Sequence, residues 1–200
     1  MMTDQSPKYA RPSDPWLEEH ADLLRPGLRA LELGCGSGED TAELVRMGIE
    51  VIALDRSLAQ LRRTRERAPG VRLVRRDMRA GLPFGDGRFD LVVSSLAIHY
   101  FDWATTCRIA DEIARVLRPG GWLLCRVNRV GDVNFEYGAG RELEPEFFEV
   151  RPGHTKRFFS EAALRELLAP RFEVDSIAPR VSTRWGMQKQ TIVARARKRA

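Results

Sequence analysis

The 200-residue chain is poor in cysteine and histidine, with three of each. Cys35, Cys107 and Cys125 are widely spaced and odd in number, which fits reduced thiols in a cytoplasmic protein better than a disulfide framework. With no C-x-x-C or H-x-x-x-H pairing, no metal site is expected. There is no apolar run of bilayer length, and the polar first residues carry no secretory pattern, so no membrane association is expected. The dinucleotide fingerprint G-x-G-x-x-G is missing too. Counted from Gly34 its third glycine falls on Glu39, and counted from Gly36 it falls on Thr41. Tyr9, Tyr100 and Tyr137 are followed four residues on by Ser13, Ala104 and Arg141, so the Tyr-x-x-x-Lys pair of a short-chain oxidoreductase is absent.

What remains is ordinary for a soluble domain: 43% hydrophobic and 30% charged residues, enough for one full-sized core. The net charge of +5 comes mainly from arginine, densest from Arg62 to Arg79. Acids interleave with these cations and no aromatic accompanies them to stack a base, so a solvated face is expected and a nucleic-acid partner is not.

The informative stretch is Ala30-Leu31-Glu32-Leu33-Gly34-Cys35-Gly36-Ser37-Gly38. A short apolar run predicts a buried parallel strand, and three glycines spaced two apart predict a sharp turn whose backbone approaches a ligand closely. Residues 39–48 then predict a helix closed by Gly48, which places the turn at the carboxyl end of a sheet. Val51 to Asp55 predicts a second strand. Its terminal acid lies 21 residues after Gly34, the spacing at which a carboxylate meets a ribose.

With Glu32 two residues before the first glycine, this turn resembles motif I of the class I S-adenosylmethionine-dependent methyltransferases, and Asp55 resembles their motif II. Arg76-Asp77-Met78, Leu82-Pro83-Phe84, the strand Phe89 to Ser95 and Leu117-Arg118-Pro119-Gly120-Gly121-Trp122-Leu123-Leu124 continue the pattern. Amino-methyltransferases of nucleic acids usually carry Asn/Asp-Pro-Pro-aromatic where this chain has Ser94-Ser95-Leu96-Ala97. The resemblance implies an α/β fold: a three-layer αβα sandwich around a seven-stranded, mostly parallel sheet with an antiparallel last strand. It also implies S-adenosyl-L-methionine as cofactor. Glu32, Gly34, Cys35, Gly36 and Gly38 would meet the amino-acid end of that donor. Asp55 and Arg56 would lie at the ribose, Asp77 and Met78 at the adenine, and Ser94 at the end of the fourth strand. His99 is a candidate general base and Tyr100 a weaker one.

Around this frame, residues 1–13 are expected to form an arm. Asp14-Pro15 predicts the cap of a helix through Trp16, Leu17, Ala21 and Leu24. Residues 128–159 break the strand–helix alternation and are rich in aromatics, which predicts a cap over a substrate pocket. In that segment His154, Lys156 and Arg157 are candidates to meet an anionic substrate. Residues 172–177 and 190–196 predict two closing strands joined by a long loop, with Arg184 and Trp185 in the loop as pocket candidates. The expected function is methyl transfer to a small molecule by a monomer or homodimer. RNA methylation, a non-catalytic S-adenosylmethionine-binding module and an NAD(P)-dependent oxidoreductase are the alternatives.

Overall fold

The computed structural model describes residues 14–184 and 186–199. The expected arm (residues 1–13), Trp185 and the Arg184 side chain lie outside the described residues. Strands β1 (Arg29–Leu33), β2 (Glu50–Asp55), β3 (Arg72–Arg75), β4 (Phe89–Ser95), β5 (Leu117–Asn128), β9 (Phe172–Arg184) and β10 (Met187–Lys198) form one sheet of order β3-β2-β1-β4-β5-β10-β9. The first five are parallel, and β10 runs antiparallel to both β5 and β9. β3 is an edge strand, half-buried at Leu73 and Val74 and exposed at Arg72 and Arg75, whereas β1 is buried from Ala30 to Leu33.

Strand alternation divides the core into two layers. Leu33, Leu54, Val92, Leu123 and Ile192 face α3 (Trp103–Val116) and α4 (Glu161–Leu168). Ala30, Ala53, Leu91, Leu124 and Val193 face α1 (Glu39–Arg46), α2 (Leu58–Arg67) and residues 16–24. Ser57, Asp102 and Ser160 cap α2, α3 and α4 through side-chain bonds to backbone N–H groups.

Two local expectations change. In place of the helix expected after Asp14 there is a single 3-10 turn, Glu18–His20. Trp16 and Leu17 sink fully into the core, and the Asp14 carboxylate pairs with Arg126 and Arg180 instead of capping. The long loop expected between the closing strands is absent as well. β9 and β10 pair as far as Arg184↔Met187, with Gly186 at the tip. Residues 178–183 are exposed or half-buried, so backbone pairing and not an apolar face defines the strand there. Residues 128–159 hold a separate antiparallel meander of β6 (Arg141–Glu144), β7 (Phe147–Arg151) and β8 (His154–Arg157).

One carboxylate ties the connection before β4 to α3. Glu112 accepts from the Leu82 N–H at 2.8 Å and from Arg115, whose guanidinium also bonds the Leu82 and Phe84 carbonyls. The Arg115 hydrogen bonds hold the Glu112 carboxyl down at about 2. A depressed acid stabilises the fold above its unfolded-state value and loses that stabilisation as pH falls toward its folded value. Acid titration of stability should therefore cost the native protein on the order of 1–2 kcal/mol more than Glu112→Gln between pH 5 and pH 2, after allowance for solvent screening. Urea unfolding across that range checks this.

Candidate functional site

β1, β2 and β4 all deliver their carboxyl ends to the same edge of the sheet, where the glycine turn sits. Gly34 has φ +68°, and a Cβ on it would lie 2.6 Å from the Ala97 Cβ, so the turn packs directly on the segment that follows β4. Gly36, at φ +54°, has open space where its Cβ would be. The Gly34 and Cys35 N–H groups both donate to the Leu54 carbonyl, at 2.7 and 3.1 Å, and so anchor the turn to β2. Gly38 directly precedes α1. The Cys35 thiol is buried against the Thr64 hydroxyl at 3.6 Å, and burial pushes it up to about 12, so it stays a neutral packing group.

Asp55 closes the turn from the other side. One carboxylate oxygen accepts from the Gly36 N–H at 3.0 Å, the other from the Ser57 N–H at 2.8 Å. An ionised carboxylate has about four acceptor positions, so two remain for another partner. Arg56 is exposed beside it, and its carbonyl accepts from Arg75. Glu32 is buried beneath the turn and accepts from the Thr41 hydroxyl in α1. Burial, then the nearby Asp40 carboxylate, push the Glu32 acid well above the usual carboxylate range. Glu32 therefore braces the turn against α1.

Asp77 caps the 3-10 turn Met78–Ala80 and pairs with Arg79 at 2.6 Å. The Arg79 hydrogen bonds lower its pKa and keep it an ionised acceptor. The Met78 side chain is buried, and its terminal methyl comes within 3.8 Å of the Cβ position of Gly34.

At the end of β4 the Ser94 hydroxyl is buried without a hydrogen-bond partner. Leu96 has φ +52°, a left-handed conformation uncommon for a non-glycine residue and found most often where a site imposes it. The chain then turns through Ile98–Tyr100. His99 is buried, with Nδ1 unpartnered. Burial first, then Lys189, Lys156 and His154, hold its pKa well below the usual imidazole value, so the ring is neutral at pH 7. The Tyr100 ring is 40% exposed and lies between His99 and His154, and the Tyr100 carbonyl accepts from Thr155.

Of the three residues expected to meet an anion, Lys156 and Arg157 are engaged within the protein and His154 lies against the Tyr100 ring. Lys156 pairs with Glu136. Arg157 is buried, pairs with Glu144 and stacks on Trp103 and Phe147. His154 has its pKa lowered by burial, then by Arg151 and Lys156.

Two constellations escaped the sequence reading. Arg126, on β5, is buried, donates to Ser95 and Asp14 and stacks 4.6 Å from the Trp16 ring, whose N–H bonds Asp40. This closes the N-terminal segment over α1. The second is Asn128, Asp132 and Lys189, each less than 5% exposed. The Lys189 ammonium donates to Asn128 Oδ1 at 2.9 Å and Asp132 Oδ2 at 3.4 Å, and sits 4.1 Å from the Phe135 ring centroid. The spacing Lys189, Thr191, Val193 signals that Lys189 lies on a buried strand face, provided the strand is taken to begin before Gln190. A cleft of about 500 Å³ at the opposite end of the sheet, lined by Arg29, Glu50, Arg72 and Phe89, lies where the strands begin and shares no residue with these groups.

Comparison with known proteins places the sequence among relatives. Residues 30–121 match the family model described as a methyltransferase domain. An uncharacterized methyltransferase of Synechocystis sp. is 39% identical over 98 residues, which are 49% of this chain and 46% of that protein. The chain spans about half the length of the curated relatives it matches first. Among solved structures, a SAM-dependent methyltransferase of Methanosarcina mazei aligns with TM-score 0.79 and 25% identity over 90% of this chain and 97% of that one. The Burkholderia thailandensis 1,6-didemethyltoxoflavin-N1-methyltransferase, solved with 1,6-didemethyltoxoflavin and S-adenosylhomocysteine, aligns with TM-score 0.73 and 25% identity over 95% of this chain and 78% of that one.

Proposed function

We propose that this chain, which belongs to the class I S-adenosylmethionine-dependent methyltransferases, transfers the methyl group of S-adenosylmethionine to a small-molecule acceptor. The observation that carries this reading is the Asp55 carboxylate bonded to the Gly36 amide on the rim of an open glycine turn.

The residues present fit the cofactor. The open space at Gly36 admits a ligand against the backbone, where a side chain would fill it. Asp55 would accept the ribose hydroxyls with its two remaining acceptor positions, and Asp77 and Met78 would take the adenine edge and face. When bound, the donor supplies an electrophilic methyl on a charged sulfur. Asp55→Ala should weaken S-adenosylmethionine binding about 10- to 100-fold, since a charged hydrogen bond contributes roughly 1.5–3 kcal/mol. Calorimetry checks this.

On the acceptor side His99 is neutral and so able to take a proton from a hydroxyl, thiol or N–H group. Residues 128–159 form the cap above it: Thr155 ties the cap to Tyr100, and Arg157 ties it to Phe101. The acceptor is a small molecule and not RNA, a reading supported by exposed arginines without base-stacking aromatics beside them. The chain is read as a cytoplasmic monomer or homodimer; its three cysteines are free, and no helix among the described residues is long and apolar enough to cross a membrane.

The test is transfer of labelled methyl from S-adenosylmethionine into a metabolite extract, with His99→Ala alongside. A labelled small molecule, with turnover lowered about 100-fold and donor binding intact in the variant, is expected. Label found only in RNA overturns the substrate class, and a variant altered in substrate KM alone removes His99 as the base.

A further inference from the structure

The cluster around Lys189 joins residues far apart in the chain. Asn128 ends β5, Asp132 lies four residues on, and Lys189 enters from β10, paired to β5 with Asn128 opposite Thr191. His99 arrives from the turn after β4. That turn, Ile98–Tyr100, packs against β5, which ends at Asn128. All four are at least nine-tenths buried.

Their hydrogen-bonding capacity is only partly used. Because Asn128 Oδ1 takes the ammonium, the amide must turn its NH2 the other way, and that Nδ2 has no partner. Asp132 Oδ2 takes the same ammonium while Oδ1 has no partner, and His99 Nδ1 has none. Buried polar atoms are ordinarily satisfied. An unmet donor, an unmet acceptor and an imidazole nitrogen that can serve as either therefore mark a buried site suited to a polar occupant.

Charge narrows the class. Asp132 balances Lys189, Glu136 balances Lys156, and His99 is neutral, so a formally anionic group would enter with no spare cation and would face the unpartnered Asp132 oxygen. A neutral group that carries a donor beside an acceptor satisfies both Asp132 Oδ1 and Asn128 Nδ2.

Resting on the methyltransferase reading for its position beside the donor, we infer that Asn128, Asp132 and Lys189, with His99, form the recognition wall of the acceptor pocket. Its ligand is an uncharged N–H/C=O edge, as in a lactam or cyclic imide, and not a carboxylate.

The test is saturation-transfer NMR with 2-pyridone and benzoate, on protein loaded with S-adenosylhomocysteine and on unloaded protein. The wild type should saturate 2-pyridone at least fivefold more than benzoate. Asn128→Leu, similar in size but without the amide, should lose the 2-pyridone signal and keep S-adenosylhomocysteine affinity within twofold. Asp132→Asn removes the balancing charge and should move the preference toward benzoate. Equal or stronger transfer to benzoate in the wild type, no transfer to either probe, or an unchanged 2-pyridone signal in Asn128→Leu overturns the inference. Failure of S-adenosylhomocysteine to bind refutes the methyltransferase reading instead, and the unloaded samples then judge the wall by itself.

Discussion

Gly34→Ala is expected to raise the S-adenosylmethionine dissociation constant by more than 100-fold. The added methyl would lie 2.6 Å from the Ala97 Cβ, closer than two carbons can approach, and the backbone φ of +68° is one an alanine adopts only with strain. Overpacking of this kind costs about 1–3 kcal/mol, and a left-handed non-glycine residue about 1–2 kcal/mol more. The turn can relieve the clash only by moving away from Ala97, which also moves the Gly36 amide off Asp55. The double variant Gly34→Ala/Ala97→Gly keeps the backbone strain and removes the clash, so donor affinity should return to within about tenfold of the native protein. Calorimetry on the three proteins, with thermal melts to confirm folding, gives the answer. A double variant no better than the single one would show that the contact with the segment after β4 does not shape the turn.

The second large effect concerns the buried pair. Asp132→Ala leaves the Lys189 ammonium buried without its counter-charge, and removing one partner of such a pair typically costs 3–5 kcal/mol. For a domain of this size that corresponds to a fall in melting temperature on the order of 10 °C. Asp132→Ala/Lys189→Met removes both charges and fills the space with apolar atoms, so most of the lost stability should return. Chemical denaturation of the native, single and double variants decides it. A single variant as stable as the native protein would mean that the ammonium reaches water.

The parts of this molecule legible in the sequence are those whose signal is local. The turn from Gly34 to Gly38, the helix α1 closed by Gly48 and Asp55 at the end of β2 each have causes within a dozen residues. Turn chemistry and apolar runs were therefore enough to place them. Trp16 shows where local reasoning fails. Asp14-Pro15 is a good helix start, but the tertiary contacts of Asp14 with Arg126 and Arg180 outweigh the cap, and the helix shrinks to one turn. The polar cluster was hidden for a topological reason. Asn128 and Lys189 are 61 residues apart and meet only through the antiparallel register of β5 and β10, which residue patterns alone do not specify. The cations of residues 128–159 misled in the opposite way. Lys156 and Arg157 looked available because nothing local in the sequence pairs them with Glu136 and Glu144, their partners in the fold.

All of the chemistry depends on the edge of the sheet beyond β1 and β2 being shaped for an adenosine that carries a sulfonium, not for a dinucleotide pyrophosphate. Isothermal titration of the purified chain with S-adenosylmethionine and S-adenosylhomocysteine, and separately with NAD and NADP, tests that most directly. One-to-one saturable heat with both adenosyl ligands and none with either dinucleotide is the predicted result. Binding of a dinucleotide by a protein indifferent to S-adenosylmethionine would contradict it.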